Sequence, residues 1–190
     1  MRVISGSAKG IQLASVPGKS TRPITDQVKE ALFNILGPEI EGAIMLDLFG
    51  GTGAVGIEAL SRGAEHVDFI EINYRALKVI QQNLKITNLS EYATIQKKDA
   101  FVYLREDPQK SYDLIYIAPP QYHNLWDKAM QILDENPDLV NPWGMVIVQI
   151  HPKEYNENNA YTKFKVFDQR EYGDTLLVFY ELAQRKETES

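Results

Sequence analysis

Asp47-Leu48-Phe49-Gly50-Gly51-Thr52-Gly53 is the stretch whose reading decides the fold. It follows the apolar run Ile44 to Leu48 and precedes the helical pattern Ala54 to Arg62, so it lies where a strand becomes a helix. Glycines at such a junction let the backbone turn sharply and come close to a ligand. Working outward, His66 to Glu71 reads as strand, Tyr74 to Leu84 as helix, Thr94 to Lys98 as strand and Ala100 to Arg105 as helix. Leu114 to Ile117 is then a strand, Leu125 to Asn136 a helix and Met145 to Ile150 a strand. Strands alternating with helices at this spacing predict an α/β fold with a parallel sheet covered on both faces and ligand sites at the carboxyl ends of the strands. The end of the chain breaks the pattern. Tyr161 to Phe167 and Thr175 to Leu182, joined by a turn at Tyr172-Gly173-Asp174, predict a C-terminal antiparallel hairpin. Upstream, Thr25 caps a helix carrying Val28, Ala31, Leu32 and Ile35 on one face, with Gly37-Pro38 as its stop. Arg2 to Leu13 alternate weakly around Gly6 and Gly10 and read as a short hairpin-like extension.

A chain of 190 residues with 44% hydrophobic side chains can bury one sizeable core, and no repeat or linker divides it. The expected organisation is a single domain over 1–190, made of a basic N-terminal arm (1–25), a core (26–184) and a polar tail (185–190). No apolar run is long enough for a membrane span, and the first ten residues lack the apolar region of a leader, so a cytoplasmic protein without membrane contact is expected. The absence of cysteine excludes disulfides, thiolate metal sites and cysteine nucleophiles. His66, His123 and His151 are scattered without ligand spacing, so no metal site is expected. The net charge is -6, yet the first 25 residues hold Arg2, Lys9, Lys19 and Arg22 and no acid. The remainder carries 16 basic and 26 acidic residues, a balance of -10. A basic arm on an acidic body fits local contact with phosphate; a solvated segment with a chance bias fits equally well.

Gly51-Thr-Gly53-Ala-Val-Gly56 also satisfies G-x-G-x-x-G, with Glu71 twenty residues beyond Gly51, which keeps a nicotinamide-dependent dehydrogenase in view. The acids discriminate. A dinucleotide brings an anionic pyrophosphate to the loop, whereas S-adenosylmethionine brings an ammonium and a sulfonium, and Asp47 attracts the cation. Glu71 can accept from both ribose hydroxyls, and Asp99, ending the third strand, from an adenine amino group. Phe49, Ile72 and Ala100 flank these positions, either against the ligand or in the core. The bland alternative is that each acid caps the helix after it.

Thr21-Arg-Pro-Ile-Thr25, the Asp47 to Gly53 loop, Glu71, Asp99 and Ala118-Pro-Pro-Gln121 together resemble the bacterial 16S ribosomal RNA guanine-N2 methyltransferases of the RsmD type over nearly the whole chain. The resemblance implies a Rossmann-like doubly wound sheet, S-adenosylmethionine as donor, and the exocyclic amine of one guanine in the small-subunit RNA as acceptor. It implies the 16S RNA, or a small-subunit assembly intermediate, as partner; a monomer is the default expectation. The family's catalytic tetrapeptide reads Asp or Asn, Pro, Pro, then an aromatic residue. Here Ala118 and Gln121 replace its first and last members, and Tyr122 follows at once. The backbone carbonyls of Ala118 and Pro119, beside Pro120, together with the Gln121 amide oxygen are expected to orient the amine while Tyr122 stacks on a flipped base. Trp126, one helical turn on, is an expected substrate-binding residue; packing under the next helix is the equal alternative for both aromatic residues. Lys9, Lys19, Arg22 and Thr25 are the expected RNA-binding residues. Rival readings are an N-methyltransferase for a small molecule or protein, and a non-catalytic ribosome-assembly protein that keeps the cofactor fold, which Ala118 favours.

Overall fold

The computed structural model describes residues 1–17 and 24–184. Lys19, Arg22 and the Thr21-Arg22-Pro23 part of the N-terminal motif lie outside the described residues, as does the tail from Arg185. The seven described strands pair in parallel among the first three and between the fourth and fifth, and antiparallel among the C-terminal fifth, seventh and sixth. They fall into two compact units, Met1–Ala100 and Phe101–Ser190. No described helix is long and apolar enough to cross a membrane.

The first unit contains α1 (Asp26–Leu36), β1 (Ile44–Asp47), α2 (Ala54–Ser61), β2 (His66–Glu71), α3 (Tyr74–Ile86) and β3 (Ala93–Lys97). Its strands pair in parallel in the order β3-β2-β1, with Asp47 opposite Phe69 and Glu71 opposite Lys97. Val67, Phe69 and Ile70 of β2 are buried together with Asp68, as a strand covered on both faces requires. Helix α3 is amphipathic by contrast: Ala76, Leu77, Ile80 and Leu84 are buried at helical spacing, and the Asn73 side chain caps it by accepting from the Arg75 and Ala76 amides. Thr25 caps α1 through a 3.2 Å bond from the Val28 amide, and Gly37, at φ +54°, closes it.

All eight residues of α2 are buried, Glu58 included. That carboxylate accepts from the amides of Ile4 (2.8 Å) and Ser5 (3.0 Å) and from Arg62 Nε (2.7 Å), and it pairs with Lys29 Nζ at 3.3 Å. Lys29, also fully buried, donates to the Arg2 carbonyl, and burial pulls its ammonium below the ordinary lysine range against the opposing pull of Glu58. The N-terminal extension is therefore docked. It folds back on itself like a hairpin, as expected, with backbone bonds Val3 to Ile11, Gly10 to Val3 and Leu13 to Met1 around the antiparallel bridge Arg2 to Gln12. Gly6 lies so close to Ser61 that a Cβ there would stand 1.7 Å from its carbonyl oxygen.

The second unit begins at Phe101, within α4 (Ala100–Leu104), and continues with β4 (Tyr112–Ile117), α5 (Leu125–Glu135), β5 (Val140–Ile150), β6 (Phe164–Tyr172) and β7 (Thr175–Leu182). Strand β4 pairs β5 in parallel; β5 pairs β7 and β7 pairs β6 antiparallel. The terminal hairpin turns on Gly173-Asp174, with Tyr172 opposite Thr175 and Gly173 at φ +59°. Its first strand starts later than the expected Tyr161. Asp134 of α5 takes the Thr162 amide and hydroxyl and the Lys163 amide, while the Tyr161 hydroxyl bonds Asp127 at 2.6 Å, so residues 161 and 162 are tied to the helix. The first backbone bond toward the last strand is the one the Lys163 carbonyl accepts from the Ala183 amide at 2.8 Å. Burial, with the Asp127 bond, pushes the Tyr161 phenol far above its ordinary range.

Candidate active site

The loop between β1 and α2 is built around its glycines. Gly51 and Gly53 take φ +56° and +76°, which a side chain disfavours, and Gly53 donates to the Gly50 carbonyl at 2.7 Å to tighten the turn. A Cβ on Gly50 would meet Ile80 Cδ1 at 2.8 Å, and one on Gly56 would meet the Phe69 ring at 2.4 Å. These glycines let the loop and the start of α2 sit directly on the apolar side chains beneath. The fully buried Asn83 of α3 holds the loop from behind, donating to the Thr52 carbonyl (2.9 Å) while exchanging bonds with the amide and carbonyl of Ala14.

Asp47 ends β1, the residue 2% exposed, and its carboxyl accepts from the Gly56 amide at 3.3 Å. Burial pushes its pKa up to about 8, the nearby Glu71 charge adds to the rise, and the Gly56 bond opposes it. At neutral pH this carboxyl is mostly protonated, and a cation arriving beside it would ionise it. Glu71 ends β2 and spans two loops: Oε2 accepts from the Gly51 amide (2.9 Å) and Oε1 from the Asn73 amide (2.8 Å). Asn73, not Glu71, caps α3, whereas Asp47 does bond the third residue of α2, so the capping alternative holds in part for Asp47. Ile72 is 60% exposed, which leaves it outside the core, and Phe49 is half-buried. Asp99, half-buried, lies between β3 and the start of α4, where Ala100 is buried.

In the second unit Ala118 to Asn124 connect β4 to α5. Ala118 and Gln121 are half-buried, Pro119 is buried and Pro120 exposed. Tyr122 is 65% exposed and stands in the left-handed region at φ +65°, rare for an aromatic residue. Its amide donates to Glu154 Oε2 at 2.9 Å, and its ring lies 5.7 Å from that of His151. In the sequence His151 stands only as one of three scattered histidines and Glu154 carries no assigned role, although Pro152 and Glu154 shortly after the end of β5 form a helix-start signature.

Trp126 departs from expectation. It is fully buried, its ring stacked on Tyr155 at 6.1 Å, so it packs beneath α5 and offers no face to a base. Of the expected RNA-binding residues, Lys9 is exposed, and the Thr25 oxygen is engaged in its helix cap. Arg2, the other cation of the described arm, pairs with Asp26 at 3.4 Å.

A parallel half-sheet with a glycine loop after its first strand and acids closing β1 and β2, followed by strands that end antiparallel, defines a Rossmann-like α/β protein of the methyltransferase type. The protein YhhF of Escherichia coli, provisionally named a methyltransferase, is similar in structure, with a TM-score of 0.83 and 26% identity over 96% of this chain and 97% of that one. The chain belongs to the family described as conserved hypothetical protein 95, whose model matches residues 1–181. Among its relatives is YlbH of Bacillus subtilis (strain 168), provisionally named an rRNA methyltransferase, 36% identical over 95% of this chain and 98% of that protein. Another is the ribosomal RNA small subunit methyltransferase D of Haemophilus influenzae, 33% identical over 78% of each.

Proposed function

We propose that this protein methylates small-subunit ribosomal RNA with S-adenosylmethionine as donor, and that the acceptor is the exocyclic N2 amine of a guanine. The names of the relatives support an rRNA methyltransferase. The observation that carries the reading in the structure is the buried Asp47 carboxyl, held near pKa 8 beside the glycine loop. An anionic pyrophosphate would raise that value further, whereas a cationic donor would ionise Asp47 and gain its charge, which favours the methyl donor over a nicotinamide cofactor.

The residues present fit that group. Asp47 would hold its cationic end, with Gly51 and Gly53 giving the backbone close approach. Both Glu71 oxygens keep lone pairs for ribose hydroxyls beyond the bonds they already accept. Asp99 would accept from the adenine amine, with Phe49, Ile72 and Ala100 against the ring. S-adenosylmethionine, when bound, supplies an electrophilic methyl on a sulfonium. The guanine amine delocalises its lone pair into the ring, so the task left to the protein is to hold its hydrogens and raise the density on nitrogen. The carbonyls of Ala118 and Pro119 and the Gln121 amide oxygen accept those hydrogens, the rigid Pro119-Pro120 pair sets their direction, and Tyr122 stacks on the extruded base. Lys9, Lys19, Arg22 and Thr25 meet the RNA backbone. The protein acts as a monomer on the small subunit or an assembly intermediate of it.

The test is transfer of labelled methyl from S-adenosylmethionine to small subunits lacking their own modification, followed by nucleoside analysis. Label in N2-methylguanosine supports the reading; label in another nucleoside corrects the acceptor. No label in RNA, with cofactor binding intact, favours the non-catalytic assembly protein, for which Ala118 speaks, or an acceptor other than RNA. Gln121→Ala and Tyr122→Ala are each expected to lower the rate at least tenfold, and full activity in both would sink the loop assignment.

A further inference from the structure

Tyr122 occupies a conformation that an exposed aromatic residue does not take unaided. At φ +65° its Cβ crowds its own backbone; Asn124, at φ +52°, is also left-handed, but asparagine adopts that region readily and carries little strain there. Neither position carries glycine. What holds the first of them is a carboxylate from another loop. Glu154 lies in the short turn Pro152–Glu154 that follows β5; its Oε2 accepts from the Tyr122 amide at 2.9 Å, and its Oε1 accepts from the His151 amide at 3.3 Å. A bond from a backbone amide to an ionised carboxylate is stronger than one to a neutral acceptor.

His151 completes the arrangement. Its Nδ1 accepts from the Lys153 amide at 3.1 Å, which puts the proton of the neutral ring on Nε2, and Nε2 lies 3.9 Å from Asp174 in the β6–β7 turn. The imidazole is thereby held at its Nδ1 side, with Asp174 too far for a hydrogen bond, and it stands 5.7 Å, at 41°, from the Tyr122 ring. One side of the tyrosine is backed by that ring while 65% of the residue remains exposed.

We propose that Glu154 is a positioning residue for the methyl acceptor: it locks the Tyr122 backbone in the left-handed conformation, with His151 backing the ring, so that a stacking face is presented ready-made to the substrate base. This rests on the proposed role of Tyr122. Freed from Glu154, Tyr122 relaxes toward ordinary backbone angles and its ring leaves the position in which a base would meet it, and the binding of RNA then has to supply the ordering.

The experiment is a double-mutant cycle on methyl transfer to small subunits lacking their modification, with wild type, Glu154→Ala, Tyr122→Ala and the double variant. Thermal melting and S-adenosylmethionine affinity are measured for each. Glu154→Ala is expected to lower kcat/KM for the RNA about tenfold, as a displaced positioning group does, with the cofactor affinity unchanged. In the Tyr122→Ala background the same change is expected to cost less than about twofold, because the ring it positions is gone. Glu154→Gln, which keeps a single acceptor for two amides, falls between. A Glu154→Ala enzyme with wild-type kcat/KM, or one whose loss is undiminished in the Tyr122→Ala background, overturns the proposal while the methyltransferase reading stands. A Tyr122→Ala enzyme of wild-type kcat/KM overturns the proposal and the stacking role together.

Discussion

Replacing Asp47 by asparagine should change how the stability of the ligand-free protein depends on pH. In the unfolded chain Asp47 titrates near its ordinary value of 3.8, and in the folded protein near 8. A carboxyl raised in this way adds nothing unfavourable below pH 4, where it is protonated in both states. As pH rises the unfolded state gives up the proton and the folded state does not, so stability falls from pH 4 to pH 8 and levels off above. At about 1.4 kcal/mol for each pH unit, damped near the ends, the loss between pH 5 and pH 7 is about 2 to 3 kcal/mol. For a chain of this size that amounts to roughly 5 to 10 °C in melting temperature. The side chain of the Asp47→Asn variant keeps a carbonyl oxygen for the Gly56 amide but carries no titrating proton, and any penalty for its buried amide hydrogens is the same at every pH. The assay is thermal or urea unfolding of both proteins at half-unit steps from pH 5 to pH 8.5, read as the difference between the two curves. The variant should gain on the wild type steadily to pH 8 and then run parallel. Curves separated by a constant amount across the whole range would refute the reasoning, since Asp47 would then titrate alike in both states.

The same carboxyl makes binding of a cationic donor sensitive to pH: the ligand favours the ionised form, so its binding releases protons and the affinity for S-adenosylmethionine should rise from pH 6 to pH 8, a trend that calorimetry in two buffers would show and that Asp47→Asn should flatten. Glu58→Ala strands the buried Lys29 ammonium and the amides of Ile4 and Ser5, and should lower the urea unfolding free energy by about 3 to 5 kcal/mol; replacing the pair together, with Lys29→Met and Glu58→Leu, should cost markedly less. Gly56→Ala places a methyl 2.4 Å from the Phe69 ring and should destabilise by about 1 to 3 kcal/mol in the same assay, whereas Gly10→Ala, which meets no neighbour, should show only the smaller strain of its positive φ.

Much of this protein is decided by local sequence. Apolar strand runs alternating with amphipathic helices fix the order of elements, since periodicities of 2 and 3.6 dictate which faces can be buried. The turn at Gly173, the cap at Thr25 and the glycine loop after Asp47 are equally local, because each depends on backbone angles or a bond three residues away. The residue types of the proposed donor site follow the same local logic: strand ends carry the acids, and the loop that follows carries the glycines. Tertiary structure decided what depends on partners distant in the chain. Tyr122, in the loop before α5, and Trp126, in its first turn, are aromatic residues four positions apart, and only packing determines that Trp126 is sealed beneath α5 while Tyr122 stands in the open. Asp134 and Asp127 hold residues 161 and 162 away from the strand their own pattern predicts. The docking of the N-terminal extension on Glu58, and the hold of Glu154 on Tyr122, join residues 53 or 54 and 32 positions apart in the chain. The pKa of Asp47 belongs to this second group as well: the sequence places a carboxyl at the end of a strand, and only the surrounding core removes the water that would have kept it charged.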